Sequence, residues 1–435
     1  MDGTRRGLAL TGLLLACAPA VPGGGEGPSF PAPPAGCVRV ASGRALQPLL
    51  DAAAPGASLC LEDGLFEGPL AIGPGVTLWG SRRAVVRGSG SDSTVRLEGE
   101  AATLLGLSVD GSGTRFDRLD AAVRVRADGA RVEGVAVRNA LFGILVERSR
   151  RVVVRGNEIE GAPGKALGMR GDGIRLWEVR DSRIERNRVR HGRDVVVWYS
   201  PGNRIEGNEI SHGRYGTHLM YSHGNVLVGN RYVGNVVGIF AMYSRDTEVR
   251  GNLLAASGGA AGMGLGAKES GDLRVEENLF LADTVGAYLD TSPLGPDEHN
   301  RFLRNAFRLC HTAVVFHGNA ERNAFADNRF RDNHVQVRVD GRGDALGAAW
   351  RRNEWDDYAG YDLDGDGIGD VPYELRSLSD ELVARHPALA FFRGSPAIAL
   401  VELVGRVVPI FRPRTLLVDP QPRTSAPPGS LPRAH

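Results

Sequence analysis

The feature that most constrains the fold of this 435-residue chain is a short fragment that recurs along much of its length. Copies read "VRGNEIEG", "IEGNEISHG", "VRGNLL" and "FADNRF", and from Asn157 onward the Asn residues are 30, 21, 22, 22, 26, 27 and 23 residues apart. Each unit holds two or three strand-like runs separated by turn residues, without the 3.6-residue period of a helix. A unit of about 22 residues cannot bury its own apolar face, whereas stacked copies can. The repeat therefore predicts an all-β fold, a single right-handed parallel β-helix.

The repeat also divides the chain into parts. Residues 1–20 are predicted to be an export signal, and residues 36–345 the parallel β-helix. Residues 346–395 are predicted to form a cap with an Asp- and Gly-rich loop, and residues 396–435 a membrane-partner docking segment with a disordered tail. The recurrent Asn residues are expected to form a ladder at one corner, since Asn tolerates left-handed backbone and bonds along the stack. We assign this ladder no chemistry.

The first twenty residues, "MDGTRRGLALTGLLLACAPA", have the layout of an export signal, with two Arg before a short apolar run and small residues. Ala18 and Ala20 frame a cleavage site, whereas the residues before Cys17 form a possible lipobox that would leave this Cys acylated. An imperfect twin-Arg signal is a third interpretation, and simple cleavage is the one we favour. All three place the mature protein outside the cytoplasm.

Cysteine content and charge limit the chemistry. Cys37 and Cys60 are expected to form a disulfide in an oxidising compartment, the alternative being two buried free thiols. Cys310 lies in an apolar run and is expected to be packed inside. The chain has no CxxC pair, which argues against a thiolate zinc or haem site, and its net charge of +1 gives no strong attraction for nucleic acid.

The half of each unit before the Asn forms a second set of aligned strands, including "GIRLWEV", "GTHLMYS", "GIFAMYS" and "TAVVFHG". Since strand side chains alternate between faces, the small or aliphatic second and fourth positions point inward and the third and fifth outward. The fifth positions are Glu147, Trp177, Trp198, Met220, Met242, Lys268, Asp290 and Phe316. The third positions are Leu145, Arg175, Val196, His218, Phe240, Gly266, Tyr288 and Val314. A contiguous exposed apolar stripe marks an interaction site, so partner binding is predicted at Trp177, Trp198, Phe240 and Tyr288.

Met220 and Met242 occupy the same outward position on neighbouring coils, where strands are about 5 Å apart. Thioethers select Cu(I) over harder cations, and His218 on the same face adds a third donor. His223 is near by register and Met263 opens the next coil, so both complete the predicted copper site. The alternative is a docking patch of Met and aromatic residues without metal.

Beyond the coils, "DLDGDGIGD" resembles the first part of an EF-hand loop. Asp362, Asp364, Asp366 and Asp370 have the alternate spacing with which carboxylates converge on calcium. The bidentate Glu expected at the twelfth position is missing, because that position is Tyr373. The alternative is a Gly-rich cap over the open end of the solenoid, and the two are compatible.

The last apolar run, Pro396–Phe411, is short for a transmembrane span. It is predicted to lie in the membrane interface or to dock on a membrane partner through Val404, Val408 and Phe411, the alternative being a helix packed on the last coil.

These features together resemble the NosD family, the periplasmic β-helix proteins of nitrous oxide reductase maturation. The resemblance covers nearly the whole chain and is carried by "GTHLMYSHGN", "GIFAMYS", "GMGLGAKES", "WDDYAGYDLDGDGIGDVPYEL" and "FFRGSPAIALVELVGRVVPIFRPRTLLVDPQP". It implies a non-enzymatic subunit on an ABC transporter of permease and ATPase, which takes copper from a lipoprotein chaperone to apo nitrous oxide reductase. The chain has no phosphate-binding loop, so ATP hydrolysis would belong to a partner.

Two other functions compete with copper transfer. A polysaccharide lyase, epimerase, hydrolase or carbohydrate-binding protein on the same solenoid would use Asp172, Arg175, Glu178 and Asp194. These residues are not expected to converge, and the stripe beside them is apolar. A docking scaffold that holds no metal is the third possibility.

Overall fold

The computed structural model describes residues 30–341, 343–377, 382, 386–392, 395–407 and 414–424. The predicted export signal with its cleavage and lipidation sites, Val408, Phe411 and the end of the predicted tail from residue 425 lie outside these ranges. Three long parallel sheets, here called A, B and C, wind around one apolar core as a right-handed β-helix. The fold class predicted from the repeat is confirmed.

Sheet A has 14 strands and starts each coil. Its members are β1 (Val38–Val40), β2 (Ser58–Leu61), β5 (Thr77–Gly80), β8 (Thr103–Leu105), β11 (Arg131–Glu133), β14 (Val153–Arg155), β17 (Arg183–Glu185), β20 (Arg204–Glu206), β23 (Val226–Val228), β26 (Glu248–Arg250), β29 (Arg274–Glu276), β32 (Asn300–Leu303), β35 (Asn323–Ala326) and β38 (Ala349–Arg351).

Sheet B has 13 strands, and in each coil its strand follows the strand of sheet A after one corner of the solenoid. Its members are β3 (Gly64–Glu67), β6 (Ala84–Arg87), β9 (Ser108–Asp110), β12 (Ala136–Arg138), β15 (Glu158–Glu160), β18 (Arg188–Arg190), β21 (Glu209–Ser211), β24 (Arg231–Val233), β27 (Leu253–Ala255), β30 (Leu279–Leu281), β33 (Ala306–Arg308), β36 (Arg329–Arg331) and β39 (Glu354–Trp355).

Sheet C has 12 strands and carries the outward stripe. Its members are β4 (Leu70–Ile72), β7 (Val95–Leu97), β10 (Ala121–Val125), β13 (Phe142–Glu147), β16 (Ile174–Trp177), β19 (Asp194–Trp198), β22 (Tyr215–Met220), β25 (Val237–Met242), β28 (Met263–Lys268), β31 (Val285–Asp290), β34 (Thr312–His317) and β37 (Val335–Asp340).

The other described elements lie at the ends or in loops. Helix α1 (Gln47–Asp51) lies near the first coil, and α2 (Pro396–Val407) lies beyond the last. Two 3-10 helices are formed by Leu167–Met169 and Pro387–Phe392. Strands β40 (Tyr373–Ser377) and β41 (Arg414–Asp419) pair antiparallel with each other.

The recurrent Asn residues form the expected ladder at the corner between sheets A and B. In each rung, an Asn Oδ1 accepts hydrogen bonds from the backbone N–H and the side-chain Nδ2 of the Asn one coil earlier. For Asn208 these two bonds come from Asn187, both at 2.9 Å. The ladder joins Asn157, Asn187, Asn208, Asn230, Asn252, Asn278, Asn305, Asn328 and Asn353. Buried corner amides are thereby paired instead of orphaned, which stabilises the stack.

The coils extend beyond the predicted boundary at residue 345. Strands β38 and β39 continue sheets A and B to Trp355, and ring stacking continues from Phe330 through Trp355 at 4.3 Å to Tyr373 at 4.4 Å. Residues 414–424, predicted to be part of a docking segment and tail, return to this end, where Asp419 accepts hydrogen bonds from Asn353. The cap therefore includes them, because the last coil needs partners for its open polar and apolar surfaces.

The sequence pattern predicts the wrong register for strand β34 (Thr312–His317). Tyr288 pairs with Val315 and Asp290 with His317, so these residues hold the third and fifth stripe positions. Val314 and Phe316, predicted to point outward, are buried in the core. A shift of one residue moves every side chain of a strand to the other face, and an apolar strand carries little signal against it.

The cysteines occupy the predicted environments. Cys37, directly before β1, and Cys60, on the neighbouring strand β2, are joined by a disulfide with 5.7 Å between their Cα atoms. Cys310 is a buried free thiol, and burial raises its pKa to about 12.

Asp283 occupies a corner between sheets B and C that Asn235 occupies in another coil. Asn235 accepts from Gly213 N through Oδ1 at 2.9 Å and donates through Nδ2 to Ile210 O at 2.9 Å. Asp283 Oδ1 accepts from Ser257 N at 2.8 Å, but in the described residues its buried Oδ2 has no partner. Burial raises the pKa of Asp283 to about 8, against the opposing effect of Ser257.

We therefore expect Asp283→Asn to stabilise the chain by about 2 kcal/mol above pH 8, because the new amide supplies the donor that the carboxylate lacks. The folded wild type binds a proton that the unfolded chain releases, so wild-type stability falls as pH rises from about 4 to about 8. The gain from Asn should shrink over the same window as pH is lowered. Urea denaturation at pH 5 and pH 8.5 measures it, with the exposed Asp297→Asn as control. An equal gain at both pH values would contradict the explanation.

Candidate metal centre

The predicted copper residues lie on the outer face of sheet C, on strands β22 and β25. Met220 pairs in register with Met242, and His218 pairs with Phe240 on the same two strands. The intervening side chains Thr217, Leu219, Ile239 and Ala241 are buried toward the core. Alternation along each strand therefore turns His218 and both Met outward, as the sequence pattern predicts.

The central contact of this site joins His218 to Met242. His218 Nε2 lies 3.3 Å from Met242 Sδ. Metal bonds of about 2.0 Å to imidazole nitrogen and about 2.3 Å to sulfur, at an angle near 100–110°, separate the two donors by about 3.3–3.5 Å. The observed spacing therefore suits two ligands of one ion, and neighbouring Met220 offers a second thioether. A donor set of one imidazole and two thioethers favours Cu(I) over hard cations.

The environment of His218 keeps its imidazole neutral. The residue is only 6 % exposed, and burial lowers its pKa to about 4, with Arg214 lowering it further and Asp194 opposing. A neutral ring has a lone pair to offer, whereas an imidazolium has none. His218 is therefore chemically competent as a ligand throughout the neutral range.

The structure does not bring the other two predicted ligands into this contact. Met263 pairs with Val237, and its Sδ lies 2.7 Å from the point where a Cβ on Gly266 would stand. Since Phe240 lies in register between Gly266 and His218, Met263 is one strand further along the same face. It remains a candidate donor for an ion moving along the face.

His223 lies in the turn after β22. Its Nδ1 accepts a hydrogen bond from the backbone N–H of Arg245 at 3.1 Å. His223 therefore lies beyond the end of β22 and outside the His218–Met242 contact, and its role as a copper ligand stays a prediction.

Aromatic rings enclose His218. Trp198 meets it edge to face at 5.4 Å, Tyr215 lies at 4.7 Å and Phe240 at 6.0 Å, measured between ring centroids. The indole Nε1–H of Trp198 donates to His218 Nδ1 at 3.3 Å. These rings shield the imidazole from water, and His218 is accordingly buried.

Tyr215 also belongs to the site, although the sequence pattern does not indicate it. The alternation of β22 would turn it inward with Thr217, but the register between β19 and β22 shifts by one residue between Asp194 and Val196. Such an irregularity adds one residue to one strand and re-aims the side chains beside it. Tyr215 can therefore stack on Phe240 at 5.4 Å on the outer face.

A buried charged cluster adjoins the aromatic enclosure. Arg175 and Arg193 both bind Asp172, each at 3.0 Å, while Asp194 is bound by Arg193 and by Arg214. Asp172, Arg175 and Asp194 were expected not to converge, and this expectation was wrong, because the coil stacking brings consecutive turns together. Burial raises the pKa of Asp172, an effect that Arg193 opposes and Asp194 reinforces.

This cluster has the wrong exposure for polysaccharide chemistry. The side chains of Asp172 and Asp194 are both 0 % exposed, so neither carboxylate reaches solvent. Glu178 is separate, bound instead to Arg148 at 3.2 Å and to the Trp177 indole at 3.2 Å. A general acid or base has to reach the proton it transfers, whereas the Asp172 and Asp194 carboxylates contact arginines and backbone instead of solvent.

Three of the four aromatic residues of the stripe that are predicted to bind a partner form one patch, and the fourth, Tyr288, lies apart from it. Trp177 and Trp198 lie 6.0 Å apart, and Trp198 neighbours His218, which neighbours Phe240. Tyr288 is separated from this patch by Gly266 in the same row. At the adjacent corner the rings of Tyr199, Tyr221 and Tyr243 stack at 5.5 and 4.8 Å and extend the patch.

The Asp- and Gly-rich loop brings three of the four predicted calcium ligands close together. Ligand atoms of Asp362, Asp364 and Asp366 lie within 4.8 Å of one another, whereas Asp370 accepts from the backbone N–H of Leu363. Calcium binding at this loop remains a proposal that rests on these carboxylates.

Val404 lies in helix α2, on which Leu400 and Leu403 are 60 % and 56 % exposed. Within the described ranges, no helix is both long enough and apolar enough to cross a bilayer.

Comparison with known proteins finds a matching family and related proteins. Residues 162–360 match the family model described as periplasmic copper-binding protein (NosD). A protein of Pseudomonas aeruginosa named "probable ABC transporter binding protein NosD" is 34 % identical over 76 % of this chain and 79 % of its own length. A protein of the same name from Stutzerimonas stutzeri is 32 % identical over 81 % of this chain and 83 % of its own.

Solved structures share the solenoid at much lower identity. The A-module of the mannuronan C-5 epimerase AlgE6 from Azotobacter vinelandii is 15 % identical, covers 70 % of this chain and 93 % of its own, and has a TM-score of 0.52. The catalytic unit of a GH87 α-1,3-glucanase from Streptomyces thermodiastaticus is 15 % identical, covers 76 % of this chain and 71 % of its own, and has a TM-score of 0.56. At this identity the likeness concerns the fold alone.

Proposed function

Because this chain belongs to the NosD family, whose model describes periplasmic copper-binding proteins, we propose that it is a copper-carrying periplasmic subunit of an ABC transporter. In this proposal it accepts Cu(I) from a lipoprotein chaperone and delivers it to apo nitrous oxide reductase for assembly of the copper–sulfur cluster. The observation that carries the proposal is the 3.3 Å contact between His218 Nε2 and Met242 Sδ, beside Met220.

Copper is the cargo here, so the site has to bind it and also release it. Two thioethers and one imidazole are neutral donors, which hold Cu(I) without the strong charge attraction of thiolates. The rings of Trp198, Tyr215 and Phe240 limit access of water, while the site stays on an outer face that a partner protein can reach. Such a site favours exchange between proteins over permanent storage.

We assign the protein partners to two surfaces. The aromatic patch of Trp177, Trp198 and Phe240 is the proposed docking face for the copper chaperone and the reductase, since it surrounds the cargo. Helix α2 is the proposed docking segment for the permease. ATP hydrolysis belongs to the ATPase subunit of the transporter.

Anaerobic titration of the purified chain with Cu(I) in competition with a chromogenic chelator tests the proposal. We expect about one Cu(I) bound per chain. Recovery of active nitrous oxide reductase in cells that lack the chain, after it is supplied from a plasmid, tests delivery. Absence of competition with the chelator would contradict a copper-carrying role.

The docking role of α2 can be separated from copper binding. We expect Leu400→Ser combined with Leu403→Ser to fold and to bind Cu(I) normally, because both side chains are exposed. Co-purification with the permease should fall by at least about tenfold, since burial of two Leu contributes roughly 1.5–3 kcal/mol each. Leu363→Ser in the cap, 82 % exposed, is the matched control and should leave co-purification unchanged.

A catalytic role on polysaccharide is the second candidate, favoured by the shared solenoid of the epimerase and glucanase structures. The inaccessible Asp172 and Asp194 weigh against it. Incubation of the chain with a uronate polymer should give no turnover, and measurable turnover lost in Asp194→Asn would revive this candidate.

A further inference from the structure

We propose that Trp198 controls the release of copper, because its indole N–H holds His218 in the tautomer that cannot bind a metal through Nε2. This inference rests on the proposed function of the His218–Met242 pair and names a regulatory residue for that site. Trp198 itself donates no electron pair to the metal in this scheme. It acts through His218 and is therefore a positioning residue.

The direction of one hydrogen bond fixes the tautomer. Trp198 Nε1–H approaches His218 Nδ1 at 3.3 Å, and an indole nitrogen can only donate. His218 Nδ1 therefore has to accept with its lone pair. The single proton of the neutral ring is then on Nε2, where it points at Met242 Sδ, 3.3 Å away. Thioether sulfur is a weak acceptor, so this second contact stabilises the proton only slightly.

Copper binding between Nε2 and Met242 Sδ requires the opposite tautomer. Nε2 loses its proton and Nδ1 gains one, so the ring stays neutral and no net proton is taken up or released. Nδ1 then carries an N–H, which cannot face the N–H of Trp198. The indole therefore has to turn away when copper binds, and its return favours release.

The surroundings of Trp198 show that its orientation is determined by buried groups. The Arg175 guanidinium carbon lies 4.7 Å from the centre of its ring, a cation–π contact. Arg175 is in turn bound to the fully buried Asp172. The buried Arg175–Asp172 ion pair therefore helps to hold Trp198 in the orientation that favours the copper-free tautomer. In this scheme the charged cluster beside the site has a structural role instead of a catalytic one.

Trp198→Phe tests the inference, since Phe keeps an aromatic ring but has no N–H. We expect the variant to bind Cu(I) about fivefold more tightly in anaerobic chelator competition, which is the order of one hydrogen bond. Trp79→Phe, which removes an indole N–H that donates to the backbone oxygen of Pro31 at 2.9 Å on strand β5, is the matched control and should not change the affinity. Unchanged or weaker Cu(I) binding in Trp198→Phe would overturn the inference.

A second measurement determines the tautomer of His218 in the copper-free protein. Long-range ¹H–¹⁵N correlation spectra of the copper-free wild type should show His218 protonated on Nε2, with a shift toward the other tautomer in Trp198→Phe. In the wild type, Cu(I) should also shift the Trp198 indole N–H signal. A copper-free wild type protonated on Nδ1 would refute the inference even if the variant did not fold.

The outcomes separate this inference from the proposed function. If the wild type binds no Cu(I), the copper-carrying function fails and the release role fails with it. If the wild type binds Cu(I) and Trp198→Phe binds it no more tightly, the function stands and only the role of Trp198 is lost.

Discussion

Replacing both Met220 and Met242 by Ala should lower the affinity of the chain for Cu(I) by at least about 100-fold. Removing a residue that only supports a metal ligand lowers metal affinity by about 10- to 100-fold, and here two proposed ligands are lost. The two side chains are neighbours on adjacent strands, and Met242 Sδ lies 3.3 Å from His218 Nε2. Their loss leaves His218 as the one donor of the proposed set. Chelator competition under anaerobic conditions measures the change.

The controls for this experiment come from the other methionines. Met169→Ala changes an exposed thioether in a distant loop and should leave the affinity unchanged. Met263→Ala tests a donor that lies one strand further along the face, and we expect a smaller loss than for the double variant. Both strands are anchored by inward side chains, so the double variant should unfold at nearly the wild-type temperature. Full Cu(I) affinity in the folded double variant would exclude this site without affecting the family assignment.

The second large effect is on the free energy of unfolding, and it is expected on replacing Asp419. Its Oδ2 accepts from Asn353 N at 3.0 Å, Asn353 Nδ2 at 2.9 Å and Trp355 Nε1 at 3.2 Å, and the residue is 0 % exposed. Asp419→Ala leaves three buried donors without an acceptor, which should lower the free energy of unfolding by about 3–5 kcal/mol. Urea denaturation measures this loss, and hydrogen exchange should show it first at Asn353.

Asp419→Asn is the matched control, because every other rung of this ladder carries an Asn. Its Oδ1 can take over the bonds from Asn353 and Trp355, while its Nδ2 meets the N–H of Gln421, which now donates to Asp419 Oδ1 at 3.1 Å. We expect a loss of about 1 kcal/mol. A loss as large as that of Ala would show that negative charge, and not the ladder geometry, stabilises the end of the solenoid.

Because Asp419 stabilises the end of the solenoid, a C-terminal truncation cannot test docking alone. A truncation at residue 396 removes the strand β41 that closes the last coil, together with the proposed docking helix. Failure of such a truncated chain to support reductase maturation would mix misfolding with lost docking. The exposed Leu400 and Leu403 variants avoid this ambiguity, since they leave Asp419 in place.

The periodic parts of the molecule could be predicted well. The Asn spacing and the alternation of small and aliphatic residues were enough for the parallel β-helix, the corner ladder and the outward direction of His218, Met220 and Met242. These features repeat from coil to coil, so each copy reinforces the others. Prediction failed at strand 312–317, because its run of four apolar residues has no alternation from which to choose a face.

The sequence by itself determined the coil, its stacking and the soft donors on its outer face, because these follow from side-chain alternation and a repeat of about 22 residues. Only the tertiary structure decided which side chains meet: the Trp198 bond to His218, the turning of Tyr215 by a shifted register, the burial of Asp194, and the return of Asp419 to the end of the ladder. Such contacts join residues from different coils or from distant parts of the chain. They depend on register, corner geometry and rotamers, none of which leaves a periodic signal in the residue order.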